Sequence, residues 1–131
     1  MDLERRKIVG KVVRAARGAE KILAVILFGS SARGENSSAS DLDLCLVLVP
    51  NSYSGLELSK IKLRYASQFP VHMSIFQQLP LYIQKRVLQE GKILLCRDDD
   101  TLYDVAFKTI REYSHFAPAY REYLREVAHA G

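Results

Sequence analysis

Two aspartates two residues apart, Asp41 and Asp43, follow a Gly-Ser pair, Gly29-Ser30, across ten intervening residues. Side chains two apart on a strand point to the same side, so a strand starting here projects both carboxylates together, beside Ser40. Paired hard oxygens of this kind suit Mg²⁺, with phosphate oxygens and water completing an octahedron. Gly29 permits close backbone approach to a ligand, and the Ser30 hydroxyl and nearby N–H groups can donate to a phosphate. Arg33 can touch phosphate or pair with a nearby acid. Together these residue types suit the holding of a metal-bound nucleoside triphosphate.

Two apolar runs must position them. Ile22 to Phe28 is continuously apolar and predicts a strand covered on both faces. Ser30 to Arg33 can form one helical turn closed by Gly34, and residues 35 to 40 read as a polar loop. Leu42 to Val49 predicts the second strand, with Leu42, Leu44, Leu46 and Leu48 on one face. After Asp43 the other face continues as Cys45, Val47 and Val49, so charge is confined to the strand's start. Pro50-Asn51-Ser52 halts it.

The remaining elements follow from period and punctuation. Ile8, Val9, Val12, Val13, Ala16 and Ala19 predict a helix from residue 2 to about 20, which Gly18 can end. A helix is expected from about Leu56 to Phe69, with Leu56, Ile61, Leu63, Tyr65 and Ala66 as its apolar surface. Pro70 to Phe76 alternates as a strand does. Pro80 and Gly91 bound another helix, with Lys85 and Arg86 near its negative terminus, and Lys92 to Cys96 reads as a short strand. Asp98-Asp99-Asp100-Thr101 offers N-capping groups to a final helix. Its expected stripe is Leu102, Val105, Ala106, Ile110, Tyr113 and Phe116 or Ala117, with a kink or a second helix near Pro118. Four of the seven tyrosines fall in this tail, at 103, 113, 120 and 123. Core packing and a docking surface for a partner or a second copy are both open there.

The 131 residues, 48% hydrophobic and 26% charged, bound a domain of ordinary core size. No apolar run approaches the roughly 20 residues that cross a bilayer, and Met1 to Lys7 lacks the apolar core of a signal peptide. A cytoplasmic setting without membrane contact is expected. Two cysteines, Cys45 and Cys96, read as buried small hydrophobes rather than a disulfide framework. The net charge of +4 permits phosphate contact without requiring nucleic acid. Arg5, Arg6, Lys7, Lys11, Arg14, Arg17 and Lys21 read as a solvated helix face.

Gly-Ser, ten residues, then Asp-x-Asp, with strands on both sides, resembles the signature of the DNA polymerase beta-like nucleotidyltransferases. Arg33-Gly34 and Ser40 match common accompaniments. The order helix, strand, motif, strand, helix, strand is similar to the minimal nucleotidyltransferases among them. The resemblance implies an α/β (α+β) fold with a small mixed sheet of about three to five strands flanked by helices. It places a nucleotidyltransferase-like domain at 1–97 and a C-terminal helical extension at 98–131, packed on that domain or on a partner. It implies transfer of a nucleoside monophosphate from a triphosphate, ATP foremost, to a hydroxyl. Asp41 and Asp43 would hold Mg²⁺, and Gly29 and Ser30 the triphosphate. Small members of this family act as antitoxins that adenylylate a tyrosine of a HEPN-domain partner.

The resemblance also implies a third carboxylate on a later strand, and there the sequence departs. The matching strand is Val71 to Ile75, and His72 stands in the acid's place. An imidazole, with a pKa near about 6.5, can act as base or ligand. The alternative is a nucleotide- and partner-binding protein whose site has lost turnover. The next acid downstream, Glu90, is expected at a helix end, remote from the site. Nucleotide addition to RNA ends is a further reading, but the extra RNA-reading domains of larger relatives are absent from this sequence. Neither a dinucleotide-binding nor a phosphate-loop glycine signature occurs.

Overall fold

A computed structural model describes residues 3–29 and 42–130, with the backbone alone at residues 120, 129 and 130. The elements run α1 (Leu3–Arg17), β1 (Ile22–Phe28), β2 (Asp43–Leu48), α2 (Gly55–Gln68), β3 (His72–Ile75), a single 3-10 turn (Phe76–Gln78), α3 (Leu81–Glu90), β4 (Lys92–Cys96) and α4 (Asp99–Ala130). One mixed sheet orders its strands β3-β2-β1-β4. β1 pairs antiparallel with β2 and with β4, while β2 pairs parallel with β3 through the α2 crossover.

The continuous apolar character of β1 has the cause its sequence suggests, because helices cover both faces of the sheet. On one face Val25 and Leu27 join Leu44, Leu46, Leu48, Met73 and Ile75 beneath Val12 and Ala16 of α1 and Tyr65 of α2. On the other, Ala24, Ile26, Cys45 and Val47 pack with Val87 of α3 and Leu102 of α4. Burial of Cys45 in that second layer pushes its thiol up from an ordinary 9.0 to about 12.

Local chemistry sets the element ends. Ser54 begins α2 with a reciprocal cap: its hydroxyl accepts from the Glu57 N–H at 3.1 Å, and the Glu57 carboxylate accepts from the Ser54 N–H at 3.4 Å. Of the expected apolar surface of α2, Ile61 and Tyr65 do face the core, joined by Leu58 and by Phe69 at the helix's C-terminal cap. Leu56 and Leu63 are exposed on its outer side. At the end of β2 the Gln77 side-chain amide stands in for a strand, donating to the Leu48 carbonyl at 2.9 Å and accepting its N–H at 3.2 Å. Arg97 ties β4 to the end of α1: its Nη2 lies 3.2, 2.8 and 3.0 Å from the carbonyl oxygens of Ala16, Arg17 and Ala19. A guanidinium there satisfies carbonyls that a helix end leaves without partners.

Asp98 caps α4, its carboxylate accepting from the N–H groups of Asp100 and Thr101. The helix runs as one element of 32 residues with Pro118 inside it, where the sequence allowed a second helix. Of its expected stripe Leu102 and Ala117 are buried and Val105 packs against the core, with Thr109 buried as well, whereas Ile110 and Phe116 are about two-fifths exposed. Thr109 tolerates burial because its hydroxyl donates to the Val105 carbonyl at 2.8 Å. α3 and α4 are braced by Lys85, whose Nζ sits 4.2 Å from the centroid of the Tyr113 ring. The basic face of α1 is solvated at Arg6, Lys7, Lys11, Arg14 and Arg17, but Arg5 is buried. No helix among the described residues is long and apolar enough to cross a membrane.

Candidate functional site

The end of β1, the start of β2 and the start of β3 meet at one edge of the sheet. Phe28 registers opposite Asp43, and Asp43 registers opposite His72. Paired residues point to the same side of a sheet, so the Asp43 carboxylate and the His72 imidazole share a face, the one covered by α3 and α4. The His72 N–H donates to the Leu42 carbonyl at 2.8 Å, which fixes that register. The strand alternation seen in sequence therefore holds, with Leu44 and Leu46 inward on the opposite face.

Gly29 follows β1 with φ +77°, a conformation that L side chains rarely adopt. A Cβ on Gly29 would fall 2.6 Å from Oδ2 of Asp43. Glycine thus serves twice here: it permits the turn out of β1, and it leaves the carboxylate its space. The sequence assigns Gly29 to the approach of a ligand; the structure adds that its missing side chain also leaves room for Asp43. Ser30, Arg33, Ser40 and Asp41, with the expected one-turn helix at 30–33, lie outside the described residues.

Gly29 and Asp43 open onto a cavity of about 350 Å³ lined also by Phe28, Ile83, Arg86, Val87 and Glu90. Two of these lining residues correct the sequence reading. Glu90 is not remote, because α3 packs across the end of β1 and delivers its last turn to the cavity. Arg86 lies on the same wall rather than serving the helix terminus, and its guanidinium is 3.7 Å from the Glu90 carboxylate. The signal was present in the spacing: Ile83, Arg86, Val87 and Glu90 fall at i, i+3, i+4 and i+7, one helix face. What the sequence lacked was which way that face turns.

His72 is exposed and is not among the residues lining this cavity. Position 72 thus lies next to Asp43 in register, while the cavity takes its second described carboxylate from Glu90 of α3. Among the described residues no group of three or more His, Cys, Asp or Glu side chains is gathered tightly enough to hold a metal ion.

Known proteins resemble this chain in sequence and in fold. The family model described as polymerase beta, nucleotidyltransferase matches residues 10–100. MJ1547 of Methanocaldococcus jannaschii, a candidate protein adenylyltransferase, is 35% identical over 75 residues, 56% of this chain and 56% of its own length. The chain thus spans a little over half of that relative. A chain from a toxin-antitoxin crystal structure with AMP-PNP superimposes with a TM-score of 0.70 at 23% identity, covering 96% of this chain and 99% of that one. A chain from the complex of a tri-AMPylated Shewanella oneidensis HEPN toxin with MNT antitoxin gives a TM-score of 0.64 at 23% identity, over 96% and 97%. At that identity the two superpositions establish the fold alone. The family match spans β1, the Gly-Ser and Asp-x-Asp positions, β2 and β3: the chain belongs to the polymerase beta nucleotidyltransferase family.

Proposed function

We propose that this chain binds a Mg²⁺-loaded nucleoside triphosphate, ATP foremost, and transfers its nucleoside monophosphate to a hydroxyl, with a tyrosine of a HEPN-type toxin partner as acceptor. The observation that carries this reading is Gly29 at positive φ, seated against the Asp43 carboxylate at the mouth of a cavity. Support comes from the named protein-adenylyltransferase relative and from fold neighbours in complexes with AMP-PNP or with an AMPylated toxin.

In this reading the acceptor oxygen attacks the α-phosphorus, the bond to the β-phosphate oxygen breaks, and pyrophosphate leaves. The hydroxyl proton passes to a base at the cavity or to water. Asp43, with Asp41 by family resemblance, supplies hard carboxylate oxygens where Mg²⁺ is held. When bound, that ion offsets phosphate charge and activates the attacking and leaving oxygens. The protein's own share is orientation: β1 and β2 fix Asp43, and Gly29 lets the triphosphate approach the backbone.

Partner contact falls to α4. Tyr103, Phe107 and Ile110 recur on one exposed side of it, and Tyr123, Leu124 and Val127 extend the exposed apolar surface toward its end. Exposed aromatic and aliphatic side chains along one helix suit a protein partner, a HEPN-type chain or a second copy.

A second reading has its own observation. Position 72, in register with Asp43, carries an imidazole where the family resemblance expects an acid, so the chain would bind nucleotide and partner without turnover. One experiment separates the two: incubate the chain with MgATP and its HEPN-type partner, then weigh the partner by mass spectrometry. An added AMP mass that disappears in Asp43→Ala establishes transfer. A stable complex with nucleotide bound and no mass shift establishes the binding reading.

A further inference from the structure

Resting on the nucleotide reading above, we infer that Arg86 of α3 contacts the phosphate chain of the nucleotide, leaving Glu90 when the nucleotide enters. A strongly anionic triphosphate next to Asp43 needs positive partners. Arg86 is the one cation among the described residues that line the cavity, which otherwise presents the carboxylates of Asp43 and Glu90. Its helix face is anchored, because Val87 beside it is buried against β1 and Ile83 packs in the same layer. The guanidinium is thereby carried on a rigid element and aimed along the cavity wall, rather than swinging from a loop.

The Arg86–Glu90 pair is built to exchange. At 3.7 Å it is longer than a hydrogen bond, and both side chains are about half exposed, at 58% and 46%. Such an i,i+4 surface pair is weak, so little is lost when the guanidinium turns to another anion. A phosphate offers more: the planar fork of donors matches two phosphate oxygens at once, and such charge-assisted bonds are roughly twice as strong as neutral ones. Glu90 is then the resting counter-ion of an empty cavity. It also repels an anion until Arg86 has engaged it.

The test is calorimetric titration of the full chain with MgATP, MgADP and MgAMP, comparing wild type, Arg86→Ala, Arg86→Lys and Glu90→Gln. Arg86→Ala should weaken MgATP about ten- to a hundredfold while changing MgAMP by less than about threefold, the loss expected for one charge-assisted phosphate contact. Arg86→Lys, which keeps the charge without the fork, should fall between. Glu90→Gln should bind MgATP at least as tightly as wild type. Thermal melts of all four chains show whether each is folded. Wild-type affinity for MgATP in Arg86→Ala overturns the inference, as does an equal loss for ATP and AMP. A wild-type chain that binds none of the three overturns the nucleotide reading itself, and this inference with it.

Discussion

Gly29 is the residue at which backbone and chemistry cannot be separated. Gly29→Ala should cost roughly 1–2 kcal/mol from the positive φ alone, and it also drives a methyl into Asp43. Its MgATP affinity should therefore fall by more than its melting temperature suggests, a comparison that calorimetry and thermal denaturation make together. His72→Asp addresses the neighbouring register position. If the imidazole is what limits turnover, restoring a carboxylate beside Asp43 should raise pyrophosphate release by about a hundredfold or more, the usual scale of a positioned base. An unchanged rate would show that position 72 does not set the limit. Cys45 gives a third reading at this scale. Fully buried, with its thiol pushed up to about 12, it should resist alkylation at pH 8 in the native chain and react only after denaturation.

At the scale of elements, the strands were the most legible parts of the sequence, and helix faces the least. An uninterrupted apolar run such as Ile22 to Phe28 has one simple explanation once helices flank it. Alternation at Leu42 to Leu48 assigned every side chain to its layer. Helices that carry apolar residues on more than one side leave the choice of face to tertiary packing. This is why Leu63 was expected inward and Leu58 was not. It is also why α3 was read by its ends, while the face carrying Arg86 and Glu90 to the cavity went unseen. Asp43 stands at the start of β2, where the strand pattern put it, while Asp41 lies outside the described residues. Arg97 joins elements far apart in sequence, a link no local pattern announces. Arg97→Ala should destabilise the fold by about 1–2 kcal/mol, as expected for charged hydrogen bonds at a partly exposed helix end, seen as a lowered melting temperature with nucleotide affinity kept. A chain ending at residue 118 removes the end of α4, where residues 121–128 are all exposed. It should melt close to the full chain yet weaken the proposed partner complex, as size-exclusion chromatography would report.

For the molecule as a whole, one sheet separates two helical layers, and the layers have different duties. α1 and α2 bury the leucine face and close the core. α3 and α4 cover the face that ends in Asp43, so the cavity wall and the exposed aromatic surface belong to the same layer. The brace between Lys85 and Tyr113 joins these two helices one residue away from Arg86. Its consequence, for any two ligands that both sides of this layer bind, is thermodynamic linkage. If a partner seated on α4 shifts that helix, the brace carries the shift toward Arg86, and partner and bound nucleotide then alter each other's affinity by the same factor. Cutting the brace with Tyr113→Leu should bring that factor toward one while both ligands still bind.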